Sequence, residues 1–390
     1  MTVRVSKPVF NVREKLSELD IPVGSHGTQL MKSADAAESF DLVGAGRKNR
    51  IINGSMKVAQ RSTSVAVTGY GYHTLDRFHT VANSSMTYAV TMSQQSDNPD
   101  GMGKSVKLLT TTAKTPSGSE NYILRYKGEE QDITAAGYGT SKSKSVTVSF
   151  SVKSNKTGTY GFQMYLGGFN PSTTFAYTIN KKDTWERKTI TIPSYTTSYS
   201  HGADNGVGFT LDWNLSSGPD DILAPFAWQS ATTAARGVTG QVNMLDTVNN
   251  YFQLTNVQLE IGPVATSFEH RSYAEELALC KRYYERYTAS GGNTGRGPQV
   301  GSYNNTRYFG YINCVSKRHS NVSVGYGGGL KVEAINLGSD SAVTGISDYS
   351  QIDGGSGIFL EVNTSAWGSG GTLYHLGFPT NAYISIDSEM

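Results

Sequence analysis

Cysteine is almost absent from this sequence, with only Cys280 and Cys314 in 390 residues. Two thiols build no disulfide framework, so the chain is expected to fold in a reducing compartment. Charge is scarce as well: 17% of residues are charged and the formal net charge is +2. The densest basic cluster is Arg47, Lys48 and Arg50, which leaves no electrostatic footprint for a nucleic-acid partner. Long apolar runs are missing too. No segment approaches a membrane span, and the opening MTVRVSKPVF lacks the apolar stretch of a signal peptide. Catalytic signatures are also missing: H-E-x-x-H, a Walker loop, G-x-S-x-G and C-x-x-C do not occur. The histidines are scattered without metal-ligand spacing, and His73 and His79 are expected to be satisfied or exposed. Asp204, Asp212, Asp220 and Asp221 fall in stretches read as loops. A glycosidase needs two carboxyls about 5–10 Å apart, and spacing along the chain does not supply that.

What the chain has instead is glycine, tyrosine and hydroxyls. There are 43 Gly and 23 Tyr. The aromatics supply enough apolar area to keep a low-charge chain out of the disordered class. The excess of Thr, Val and Tyr over Leu favours strands. Alternation predicts strands at 88–92, 106–111, 122–126, 145–153, 159–166, 175–179, 188–192, 207–211 and 251–261. The clearest are SVTVSFSVK and RKTITIP, apolar at every second position. Turn residues such as Asn155-Lys156-Thr157-Gly158 punctuate them. Many short strands without helices predict a two-sheet β-sandwich of the jelly-roll type over residues 51–270.

The flanks differ. Residues 1–50 hold two helix-like pieces, Val12–Leu19 and Ser33–Leu42, and between them PVGSHGTQLM has too little apolar content to fold alone. The expectation is an arm that orders on docking, through Leu16, Leu19, Phe40 and Leu42. Residues 271–290 begin with a capping box, Ser272 and Glu275. A short amphipathic helix is expected there, with Tyr273, Leu277, Cys280, Tyr284 and Tyr287 on one stripe. That stripe either packs on its own β domain or meets two further copies on an axis, although two heptads are too short to associate in isolation. Residues 288–300 read as a Gly-rich linker. Residues 291–390 read as a second, sandwich-like β domain, with strands near 308–315, 322–325, 330–337, 357–362 and 383–387. No internal repeat is present.

Several motifs resemble those of known proteins. Gln258-Leu259-Glu260, Gly262, Ala265-Thr266, Phe268-Glu269 and Arg271, followed by Glu276-Leu277, Cys280 and Arg282-Tyr283-Tyr284, resemble a strand–turn–helix junction of tailed-bacteriophage virion proteins. Asn53-Gly54, Met56, Val58, Gln60-Arg61 and Asp76-Arg77-Phe78 resemble a second pattern of the same proteins. Arg13 to Leu16, Glu18 to Asp20, Pro22, Gly24 and Gly44 to Asn49 look like the N-terminal adaptor of phage fibre-like proteins. Such fibres are generally homotrimers, so the resemblance favours the three-copy axis. Asp183 to Arg187 before Thr189 to Pro193, with the final LTNVQLE, is similar to carbohydrate-binding-module jelly rolls. Many of those hold a structural Ca²⁺ through an acidic residue on the last strand. Asn256 stands at that position here, which puts the ion in question; no other metal or cofactor is expected.

Exposed aromatics are the candidates for chemistry, because flat rings stack on sugar faces at low entropy cost. Tyr195 and Tyr199 in SYTTSYSHG, Trp213 (considered with Trp228) and Trp367 in NTSAWGSGG are the glycan-binding candidates. Trp185 is expected in the sandwich core, and Cys280 as a small buried hydrophobe. The expected whole is a mainly β, trimeric, non-enzymatic virion protein of tail-fibre or spike type. It would attach to head or tail proteins through residues 1–50 and engage host-surface polysaccharide, after assembly in the host cytoplasm and without membrane insertion. Two alternatives stay open. One is a structural decoration or nozzle component that binds no sugar. The other is a glycan depolymerase with a carboxylate pair in a groove.

Overall fold

The computed structural model describes residues 25–32 and 48–389, apart from 68, 83–89, 168–169, 200–203, 230–235, 289–294, 320–321, 335–339, 352–356, 366–373 and 380. The chain divides into Met1–Lys48 and Asn49–Met390. In the first unit a helix, α1 (Ser25–Lys32), runs through the stretch for which no element is expected. Lys32 in its last turn suits the negative end of the helix dipole. The expected helices and the docking candidates Leu16, Leu19, Phe40 and Leu42 lie outside the described residues.

The second unit begins with β1 (Ser64–Val67), β2 (Phe78–Ala82), β3 (Val90–Gln95), β4 (Ser105–Thr110) and β5 (Asn121–Glu129). A single-turn helix, α2 (Glu130–Ile133), precedes β6 (Val146–Ser154), β7 (Gly158–Leu166), β8 (Ser172–Ile179), β9 (Glu186–Ile192) and β10 (Val207–Ser217). Then come β11 (Ile222–Leu223), β12 (Phe226–Gln229), β13 (Gly237–Val238) and β14 (Tyr251–Ile261). Twelve of them form two six-stranded sheets, a front sheet ordered β1-β3-β4-β14-β6-β9 and a back sheet ordered β12-β8-β7-β10-β5-β2, and β11 pairs with β13 in a separate parallel ribbon. The sandwich read from alternation is therefore present.

Period-two patterning decides what fills it. Val146, Val148, Phe150 and Val152 of β6 face Phe209, Leu211, Trp213 and Leu215 of β10, and all eight are fully buried. Each such side chain contributes about 1.5–3 kcal/mol relative to exposure. Trp213 stands edge-on to Phe150 at 5.6 Å and to Phe162 at 5.4 Å. At 0% exposure it offers no face to a sugar, which corrects its place among the glycan candidates. The cause is strand length: β10 runs on to Ser217 instead of stopping at 211, keeping Trp213 in phase with Phe209 and Leu211. Trp185 is the opposite case. It is half-buried outside the core, its indole N–H donating to Asp97 at 3.1 Å and its ring 5.3 Å from the Lys153 ammonium.

Helix α3 (Tyr273–Lys281) opens with the expected capping box: the Ser272 hydroxyl accepts from the Glu275 N–H at 3.2 Å, and the Glu275 carboxylate accepts from the Ser272 N–H at 2.8 Å. It ends earlier than expected, and Tyr284 and Tyr287 belong to strand β15 (Tyr284–Thr288). The stripe is thus not one helical face. Cys280 packs with Ile52, Val58 and Tyr283, with Leu277 against them. Tyr284 lies under the Arg61 guanidinium, and Tyr287 donates to the Asn313 carbonyl. Only Tyr273 is well exposed, at 56%. Their own chain buries Cys280 and Tyr284 and half-covers Leu277 and Tyr287, so the five do not line up as the single exposed stripe expected for a three-copy axis.

Beyond it lie β16 (Gly295–Ser302), β17 (Arg307–Asn313), β18 (Ser323–Gly327), β19 (Lys331–Ala334), β20 (Asp340–Gln351), β21 (Gly357–Thr364), β22 (Tyr374–Phe378) and β23 (Tyr383–Asp387). They form a closed barrel, β16-β17-β21-β20-β19-β22, and a three-stranded sheet, β15-β23-β18. The expected sandwich-like domain is corrected to a barrel, in which closure removes the sheet edges a sandwich would keep. Part of the expected linker is strand β16. A Cβ at Gly297 would collide with the Phe378 ring, so glycine there serves close packing of β16 on β22.

The two motif regions meet in space. Asn53 accepts from the Val58 N–H at 2.9 Å and donates to the Val58 and Asp76 carbonyls at 2.8 and 2.9 Å. Its own N–H donates to Glu276 at 2.5 Å, and Glu276 also holds Arg271 at 3.1 Å. Gln60 donates to Asp76 and to the Tyr284 carbonyl at 2.7 Å. A Cβ at Gly54 would collide with the Val257 carbonyl. These identities satisfy buried polar groups where the sandwich, α3 and β15 join.

Candidate functional site

Three half-exposed aromatic side chains of the sandwich gather where the two sheets end together. Strand β9 is the last strand of the front sheet and β12 the last of the back sheet. β9 stops at Pro193, whose missing N–H ends the ladder. The loop that follows is pinned from both sides: the Tyr195 N–H donates to the Ser143 hydroxyl at 2.9 Å, and the Tyr195 carbonyl accepts from Gly139 at 2.7 Å. Trp228 on β12 reaches across the gap, its indole N–H donating to the Pro193 carbonyl at 2.8 Å.

Four rings then form a step from core to solvent. Tyr138 is buried beneath, 5.5 Å from Trp228. Trp228 lies 5.1 Å from Tyr195, and Tyr195 lies 6.2 Å from Tyr199. The outer three are half-buried and packed against the core. Ser194, Thr196, Thr197 and Ser198, their neighbours along the loop, are exposed and carry hydroxyls. Burial, with the nearby Glu130 charge, pushes the Tyr199 hydroxyl up to about 12, so it stays a neutral donor and acceptor at physiological pH. An apolar floor with a neutral hydrogen-bonding rim can stack on the C–H face of a sugar ring and bond its hydroxyls.

The structure thus brings Tyr195 and Tyr199 together and adds Trp228, which sequence reasoning had set beside Trp213. The alternation of β10 separates those two tryptophans. Trp367 lies outside the described residues. Phe309, Tyr311 and Phe359 escaped notice, although aromatics on both faces of RYFGYIN signal an outer face with a use of its own.

The outer face of the back sheet carries a buried polar row. Asp212 accepts both guanidinium bonds of Arg125, each 2.6 Å. Asp212 is therefore committed to an ion pair. His79, the neighbour of Arg125 across the sheet, is fully buried between Tyr70 at 5.3 Å and Tyr72 at 4.5 Å, and neither nitrogen has a hydrogen-bond partner among the described residues. It is neither satisfied nor exposed, against expectation. Burial and the nearby Arg125 and Lys127 charges keep it neutral.

The calcium position holds an amide. Asn256 sits in a bulge of β14 and donates to Asp100 at 2.7 Å, with His270 3.4 Å from the same carboxylate oxygen. One carboxylate facing an N–H donor does not fit a Ca²⁺ site. Among the described residues no group of three His, Cys, Asp or Glu could hold a metal ion.

No family model and no curated protein matches the chain. Solved structures do. The enzymatically active domain of bacteriophage CBA120 tailspike protein 4 matches with 12% identity and a TM-score of 0.31, over 55% of this chain and 21% of that one. A family 11 carbohydrate-binding module of a Clostridium thermocellum cellulase matches with 10% identity and a TM-score of 0.27, over 53% and 99%. A family 61 module in complex with β-1,4-galactotriose matches with 9% identity and a TM-score of 0.27, over 55% and 99%. The chain spans about a fifth of the tailspike domain. At these TM-scores the likenesses carry no argument about what this chain does.

Proposed function

We propose that the chain is a fibre- or spike-like structural protein of a tailed-phage particle, held to the particle through residues 1–50, and that it engages host-surface polysaccharide. The observation that carries the glycan reading is the ledge of Trp228, Tyr195 and Tyr199, half-exposed, uncharged and rimmed by hydroxyls. The particle reading rests on the motif resemblance of residues 13–49, 53–78 and 258–284. Binding without cleavage is the reading we favour; Asp212, one of the carboxylates considered for cleavage, is paired with Arg125. Assembly as a homotrimer in the host cytoplasm belongs to the same reading, with its contacts elsewhere than the α3 stripe.

The test is binding of the full chain to immobilised lipopolysaccharide and capsular polysaccharide, with light scattering for mass and a reducing-end assay for cleavage. Trp228→Ala and Tyr195→Ala are each expected to weaken binding about tenfold. Unchanged binding in both variants removes the ledge from the proposal. Release of reducing ends replaces it with the depolymerase alternative.

A further inference from the structure

The barrel turns aromatic rings outward as well as inward. On β17, Tyr308 and Ile312 point into the core, while Phe309 and Tyr311 point out. On β21, Phe359 points out beside them, opposite Tyr311 in the register. Tyr311 and Phe359 are 38% and 39% exposed, and Tyr303 on the preceding turn is 69% exposed. Phe309 and Phe359 lie 5.4 Å apart and nearly parallel, and Tyr303 is 5.6 Å from Phe309. The strip is held in place. The turn bonds to itself, Tyr303 N–H to the Arg307 carbonyl at 2.9 Å and the Asn304 side chain to the Thr306 and Arg307 N–H groups at 2.9 Å. Tyr311 lies across Gly357, where any Cβ would collide with its ring.

We propose that this strip is a second glycan-binding platform, for an uncharged hexose chain; the inference rests on the glycan reading above. Two observations select the occupant. The two described charges beside the rings offset each other, since Arg307 pairs with Glu361 at 3.5 Å. No unpaired described cation stands among the rings to draw an acidic ligand. The area is small: at these exposures the four rings offer roughly 400 Å², about half of the ~800 Å² that each partner of a stable protein pair contributes. A short row of rings across two adjacent strands, with two tyrosines among them to offer hydroxyls, matches a few sugar units stacked through their C–H faces. With the sandwich ledge, one chain carries two platforms, so a polysaccharide long enough to reach both is held by avidity.

The test uses the full chain against immobilised glucan, galactan and mannan. Four proteins are compared: wild type, Tyr303→Ala/Phe359→Ala, Trp228→Ala/Tyr195→Ala, and all four substitutions together. The strip variant is expected to lose about tenfold in affinity for the polysaccharide that wild type binds, and the combined variant more than either pair. Phe359→Tyr, which keeps the ring, is expected to bind as wild type. Tyr303→Ala alone, on an exposed turn, gives the same readout if the double variant does not fold. Wild-type affinity in the strip variant, with loss in the ledge variant, overturns the second platform and leaves the first reading standing. Loss in the strip variant alone keeps the platform and removes the ledge. A fall in molecular mass in the strip variant makes the strip a contact between copies instead. Wild type that binds none of the three overturns the neutral-hexose platform.

Discussion

Arg77 and Glu389 form an ion pair almost wholly removed from water, joining the edge of the sandwich to the residues that follow β23. The Arg77 guanidinium also lies 3.4 Å above the Tyr283 ring and donates to the Lys127 carbonyl. Arg61 sits nearby, bonded to Asp387 at 2.9 Å and stacked on Tyr284. Removing one partner of such a pair leaves the other buried and uncompensated. Glu389→Gln is expected to cost about 3–5 kcal/mol in urea unfolding. A loss below about 1 kcal/mol would show that Arg77 is held by its rings and carbonyl alone.

Asp76 in the same joint gives a pH signature. Burial pushes its carboxyl up to about 6, against Arg61 and the Gln60 hydrogen bonds. The native state then holds this proton more tightly than the unfolded chain. Stability tied to Asp76 is greatest below the ordinary carboxylate range and falls as pH rises through 6. Asp221, also pushed up to about 6 by burial, acts with the same sign. The thermal midpoint of Asp76→Asn relative to wild type is expected to climb between about pH 4 and 7. A flat difference refutes the assignment.

Glu186 acts with the opposite sign. Desolvation raises its carboxyl, but hydrogen bonds from Lys188, Lys181 and Asn180 outweigh it and hold the group at about 2. Its contribution is present above the ordinary carboxylate range and disappears as pH falls through 2. Glu186→Gln is expected to lower the midpoint at neutral pH and to match wild type near pH 2.

The two thiols should separate in a reagent titration. Cys280 is fully buried, and burial followed by the nearby Asp76 and Glu276 charges pushes its thiol well up. Cys314 is half-buried, with a smaller upward shift. One thiol is expected to react in native protein and both in denaturant, with Cys314→Ser abolishing the native reaction.

Tryptophan substitutions distinguish core from ledge. Trp213→Ala empties the centre of the sandwich and is expected to cost about 3–5 kcal/mol. Trp228→Ala removes a half-exposed ring and one hydrogen bond, and is expected to cost about 1–2 kcal/mol. Equal losses in chemical denaturation would contradict the different burial of the two rings.

Local patterns of the sequence carried most of the fold. RKTITIP alternates because one face is buried, and SVTVSFSVK because its apolar residues face the core while its polar Thr147, Ser149 and Ser151 are buried on the other face; both are strands of the front sheet. The Ser272 capping box is local chemistry and marked a helix start correctly. Helix length was not legible, since Tyr284 and Tyr287 continue the 3.5-residue spacing and yet pair as strand with β23. Barrel closure was not legible either. It depends on β16 meeting β22, and glycines that permit the approach look the same in sequence as glycines of a linker. The joint escaped because its bonds link residues as distant as Asn53 and Glu276, or Arg77 and Glu389. Tyr195 and Tyr199 stood out as loop aromatics, but their neighbour Trp228 lies on a four-residue strand too short to show a period.

The three-stranded sheet imposes an order on synthesis. Strand β15 leaves the ribosome directly after α3, but its partner β23 follows only after every strand of the barrel has been made. Domains fold as they emerge, so the sandwich can close while this strand and the buried Arg77 still wait. Until β23 is made, β15 lacks this partner strand and Arg77 lacks Glu389. The joint can therefore close only after β23 has been made.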